Sequence, residues 1–82
     1  MAKLLYFGRL ADITGTNGEA QDLPEAVSNT DQLREWVNSL HQVGDAFLEA
    51  SVRIAINNEM VSEPCQVSNG DEIAFLPPVG GG

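Results

Sequence analysis

The sequence is short of several things. It has one cysteine, Cys65, so no disulfide can form within the chain, which suits a reducing compartment. It has four basic residues, Lys3, Arg9, Arg34 and Arg53, scattered among twelve acids for a formal net charge of −8. A nucleic-acid ligand needs clustered Lys and Arg to meet its phosphates, so that class is set aside. No run of apolar residues is long enough to span a bilayer, and Lys3 is followed by a short apolar run rather than a secretory signal. The expectation is a cytoplasmic protein with no membrane partner. There is one histidine, His41, and no H-E-x-x-H, Gly-rich phosphate loop, EF-hand loop or Ser/His/Asp set. Neither a bound cofactor nor a metal is expected, and no catalytic constellation is spelled out.

What is present makes one small globular domain. The chain has 82 residues, 43% of them hydrophobic, which argues against disorder and for a single modest core. The acid excess confers solubility and, in a sharper reading, steers the chain toward a basic protein partner.

Lys3–Gly8 (KLLYFG) reads as an opening strand, apolar on both faces and therefore central. Leu10 and Ile13 predict one or two helical turns, broken at Gly15 and Gly18. Residues 20–27 (AQDLPEAV) carry Pro24 and read as at best a short edge strand, in a hairpin with the first. The clearest helix covers Asp31–His41, with Leu33, Trp36, Val37 and Leu40 at i, i+3, i+4, i+7. Asn29 or Thr30 caps it, Gln32 completes a capping-box-like arrangement, and Gly44 is the expected stop. Asp45–Ser51 reads as a second short helical piece. Val52, Ile54 and Ile56 alternate with Arg53, Ala55 and Asn57 as a half-buried strand. Asn57-Asn58 then turns the chain into a short strand (EMVS), and Ser68–Asp71 turns it into a last strand at Glu72–Leu76. The fold class is α+β: a mixed sheet of about four to five strands with one main helix on one face, its first and last strands side by side.

Few side chains offer chemistry. His41 sits near a helix C-terminus, where a cation is favoured. Cys65 follows Pro64 in a polar loop with no neighbouring base to make a thiolate. Trp36 reads as core, and Asp71-Glu72 as turn chemistry. The terminal segment Pro77-Pro78-Val79-Gly80-Gly81-Gly82 stands apart as a flexible tail on a body of residues 1–76. Proline fixes the exit direction, and glycine lets a backbone enter a channel too narrow for side chains. Six extended residues reach about 20 Å. The terminal carboxylate is a poor electrophile, so a partner must activate it, for example as an acyl-adenylate. Sulfur then displaces AMP to leave a thiocarboxylate.

Four segments carry a family resemblance: LLYFGRLADITG, TDQLREWV, AINNEMVS and, most specifically, NGDEIAFLPPVGGG. Over nearly its whole length the chain resembles the sulfur-carrier (small) subunit of molybdopterin synthase, the MoaD type of the MoaD/ThiS ubiquitin-like family. The resemblance implies a β-grasp fold. It implies that Gly82 is adenylated by a MoeB-type enzyme with ATP, then thiocarboxylated by a sulfur donor. The tail would enter a MoaE-type large subunit, where the sulfur attacks cyclic pyranopterin monophosphate. Similar synthases are heterotetramers, and two loaded carriers are consumed per dithiolene. Gly81 and Gly82 match the family's terminal pair, and Phe7, Met60 and Leu76 fall where it places apolar residues against the large subunit. From the residues alone these three also fit a core, and for Phe7 the two readings weigh equally. Two positions depart from the family: Gly80 stands where relatives often carry Thr or Ser, and Ala11 where they often carry Arg. The alternatives are a ThiS-type carrier for thiamine thiazole synthesis, a ubiquitin-like modifier whose Gly82 joins a lysine, and an interaction module with an idle tail.

Overall fold

The computed structural model describes residues Met1–Pro78. Elements follow in the order β1 (Ala2–Tyr6), α1 (Arg9–Thr14), β2 (Gly18–Gln21), α2 (Thr30–His41), β3 (Arg53–Ile56), β4 (Glu59–Met60) and β5 (Glu72–Leu76). The strands form one sheet in the order β2-β1-β5-β3-β4. β1 and β5 pair in parallel at its centre, and every other pairing is antiparallel.

Alternation along the strands sorts the sheet into two faces. Ala2, Leu4 and Tyr6 of β1, Ile73 and Phe75 of β5 and Ile54 of β3 are buried on the inner face. Leu33 and Val37 of α2 close over them, and Leu10, Phe47, Val52 and Val67 complete the core. Three rings knit the centre. Tyr6 stacks on Phe75 at 5.9 Å, and Phe47 meets Phe75 edge-on at 5.0 Å. Such aromatic pairs add about 0.5–1.5 kcal/mol each beyond area burial.

The hairpin of β1 and β2, the short strand β4 and the adjacency of first and last strands all follow the sequence pattern. Asn57 and Asn58 both adopt positive φ, 53° and 70°, as their turn requires. Asn29 caps α2 by accepting from the Gln32 N–H at 2.9 Å. Gln32 reaches back one residue further than expected, to Ser28.

Several expectations are corrected. The edge strand β2 ends before Leu23-Pro24, because the Leu23 N–H goes to the Asn69 side chain at 3.0 Å rather than to a ladder. The helix stops at Gln42 in a left-handed C-cap, two residues ahead of Gly44. The buried stripe of α2 is Thr30, Leu33, Arg34 and Val37, one helical turn nearer the N-terminus than Leu33, Trp36, Val37 and Leu40. Trp36 is only half-buried at the core edge, and Leu40 is exposed.

The segment Asp45–Ser51 is a series of turns, not a helix. Its carbonyls are already committed. The Arg34 guanidinium donates to the carbonyls of Phe47 at 2.9 Å and Glu49 at 3.1 Å, and to that of Val52. Its remaining donors grip Glu63 bidentately at 2.8 and 2.7 Å. All five guanidinium N–H groups are thus satisfied by one loop and one carboxylate.

Candidate functional site

With α2 covering one face, the other face of the sheet is left open. The strand register lays Leu5, Ala74, Ala55 and Met60 in a row across it. A second row follows: Phe7, whose N–H donates to the Phe75 carbonyl at 3.2 Å, then Leu76, then Arg53 directly opposite Leu76. Phe7 is 46% exposed and Met60 52% exposed. Neither is core. Leu76 is half-buried on the same face. Lys3 and Glu72 edge the patch with an ion pair at 3.8 Å. Exposed apolar surface of this kind makes the face a candidate interaction site.

The patch runs into the root of the tail. Ala50, Ser51, Arg53, Met60, Leu76, Pro77 and Pro78 line a groove of about 500 Å³. Pro77 packs on Gly8, which takes φ 56° and ψ −133°, a conformation natural only to glycine. The sequence-predicted interface residues Phe7, Met60 and Leu76 and the tail residues Pro77 and Pro78 therefore stand together. Val79, Gly80, Gly81 and Gly82 lie outside the described residues.

The other candidates lie elsewhere. His41 Nε2 is 2.5 Å from Glu19 Oε2, and Tyr6 OH donates to the same oxygen at 2.7 Å. This cluster ties the end of α2 to the edge strand, on the covered side of the sheet. Burial, reinforced by the Glu19 carboxylate, pushes the Tyr6 phenol far above its ordinary range. Burial acts to raise the Glu19 carboxyl, but hydrogen bonds from Gln21, Tyr6 and His41, with the His41 charge, outweigh it and hold the group below its ordinary value. Cys65 is half-buried, its thiol 3.7 Å from the Gln66 carbonyl. Its backbone exchanges hydrogen bonds with the buried Thr30: Thr30 N–H to Cys65 O at 2.9 Å, and Cys65 N–H to Thr30 Oγ1 at 3.0 Å. Ala11 packs partly against the core. Among the described residues no group of His, Cys, Asp and Glu is placed to hold a metal ion, and no helix is long and apolar enough to cross a membrane.

Sequence reasoning missed two parts of this picture. Arg34 was legible only as one of four scattered bases, although it sits four residues after Thr30 and three before Val37, on the buried stripe. The closeness of Gly8 to Pro77 had no sequence signal, since it joins positions far apart in the chain.

A five-stranded mixed sheet with a parallel central pair and a helix across one face defines a ubiquitin-like β-grasp protein. Comparison with known proteins narrows this. The ThiS family matches residues 4–82. The molybdopterin synthase sulfur carrier subunit of Haemophilus influenzae is 34% identical, with 100% of both chains covered. A Pyrococcus furiosus structure assigned as molybdopterin converting factor, subunit 1, is 30% identical with a TM-score of 0.76, over 95% of this chain and 97% of that one. The small archaeal modifier protein SAMP1 of Haloferax volcanii superposes with a TM-score of 0.79, over 99% of this chain and 98% of that one, at 19% identity, a likeness of fold alone. The chain belongs to the ThiS family.

Proposed function

We propose that this chain is a sulfur carrier in molybdenum cofactor biosynthesis, the small subunit of a molybdopterin synthase. The observation that carries the reading is the continuity of the open apolar face with the tail root: Phe7, Leu76 and Met60 lead straight to Pro77 and Pro78. The reading takes this face as the docking surface and the segment beyond Pro78 as the thread that enters the partner.

On this reading a MoeB-type partner converts the Gly82 carboxylate to an acyl-adenylate, with pyrophosphate leaving ATP. ATP is the partner's substrate and is not held by this chain. A sulfur donor then attacks the acyl carbon and AMP departs, leaving the thiocarboxylate. The large, MoaE-type subunit receives Val79–Gly82 and supplies the catalytic groups, and the thiocarboxylate sulfur attacks the pterin precursor. Phe7, Met60 and Leu76 hold the body against the large subunit meanwhile. The complex is a heterotetramer, and we place it in the cytoplasm, where the lone Cys65 stays reduced.

The test is intact-mass analysis after incubation with the adenylating enzyme, ATP and sulfide. A mass increase equal to exchange of one oxygen for sulfur, mapped to Gly82, is expected. Deleting Gly82 should leave the melting curve unchanged and abolish pterin conversion. Normal conversion by the truncated chain would sink the carrier reading.

A further inference from the structure

Charge pairing in this acidic chain has one conspicuous gap. Three of its four bases have carboxylate partners: Lys3 with Glu72 at 3.8 Å, Arg9 with Glu49 at 3.1 Å and Arg34 with Glu63 at 2.7 Å. Arg53 has none among the described residues, although twelve acids are available. It is exposed, stands opposite Leu76 in the β3–β5 register, and lines the groove with Met60, Pro77 and Pro78. The unmatched cation is thus set into the apolar face, beside the tail root.

We propose that Arg53 is the specificity-determining residue of this face, and that it receives a carboxylate presented by the apolar surface of the partner that accepts the tail. The inference rests on the proposed docking role of the face. Docking an apolar surface over Leu76 and Met60 strips water from the neighbouring guanidinium. A desolvated, unpaired guanidinium costs several kcal/mol, so a partner that fits must bring an acceptor. A carboxylate matches the planar fork of Arg with two parallel hydrogen bonds, which a point charge does not. Elsewhere the surface of the chain carries its excess of acids and repels a carboxylate. Among the described residues Arg53 is the base without a carboxylate partner, and a carboxylate seated on it fixes the register in which the tail enters.

The test is calorimetric titration of the intact chain with its own large synthase subunit, using the wild type, Arg53→Leu, Arg53→Glu, Arg53→Lys and Met60→Asp. Thermal melts of each variant confirm folding. Met60→Asp should abolish binding. Arg53→Leu should weaken it about 30-fold or more, as expected for one member of a desolvated charge pair. Arg53→Glu should weaken it further, and Arg53→Lys should recover part of the loss. If Arg53→Leu binds as tightly as wild type while Met60→Asp still abolishes binding, the role of Arg53 is overturned and the docking face stands. If Met60→Asp also binds normally, the docking face itself is wrong and both readings fall.

Discussion

Pro77 lies so close to Gly8 that a Cβ at position 8 would sit 2.9 Å from Pro77 Cγ. The chain leaving β5 is thereby pressed onto the start of α1 before it runs on. A Gly8→Ala substitution meets two penalties, the contact with Pro77 and a positive φ of 56°. Backbone strain of this kind costs about 1–3 kcal/mol. For a domain of this size each kcal/mol lowers the melting temperature by about 4–8 °C. Calorimetry should show that drop. Adding Pro77→Ala should recover the part due to the contact and leave the part due to φ.

Arg34 should be among the costliest side chains to remove. It is 8% exposed, and its five donors hold the 47–52 loop and Glu63. Arg34→Met leaves buried carbonyls and a carboxylate unpaired, for a loss of about 3–5 kcal/mol in urea unfolding. Arg34→Lys should restore less than half of it, since a lysine has three donors and no planar fork.

The Tyr6–Glu19–His41 cluster sets a pH window for stability. The Glu19 carboxyl is lowered from its ordinary 4.5, so its contribution is complete above that value and lost as pH falls through the lower, folded-state value. The Tyr6 phenol is raised from its ordinary 10.0, so its contribution is complete below that value and lost as pH climbs beyond it. Melting temperature measured against pH should show a neutral plateau with both limbs. Glu19→Gln should flatten the acid limb, while Tyr6→Phe should flatten the alkaline one.

On the open face, Met60→Asp and Leu76→Asp should separate binding from stability. Met60 is 52% exposed, so its replacement should change unfolding free energy by about 0.5 kcal/mol or less. Leu76 is half-buried and should cost somewhat more. Both should weaken binding to the large subunit far beyond their effect on the melt. Equal losses in the two measurements would make these residues structural.

The strands were readable because their signals are local. Val52 to Ile56 alternate, Asn57-Asn58 and Asn69-Gly70 turn, and Glu72–Leu76 is apolar on both faces. The β1–β5 adjacency followed from two strongly apolar strands needing the sheet's interior. The failures share one cause: a distant group captured a local preference. The 45–51 segment had helical composition, but Arg34 took its carbonyls. Residues 30–40 had the right spacing, yet packing shifted the buried stripe back by one turn. The open face was half legible. Phe7, Met60 and Leu76 came from family likeness, whereas their exposure, and the place of Arg53 among them, needed the register of three strands.

The central place of β5 has a consequence for how the protein is made. β5 fills the slot between β1 and β3, and among the described elements it comes last in the chain. Until residues 72–76 emerge, no hydrogen-bond ladder joins the β1–β2 pair to the β3–β4 pair. A chain broken before that point therefore lacks the strand that unites its sheet, and should be open to proteolysis.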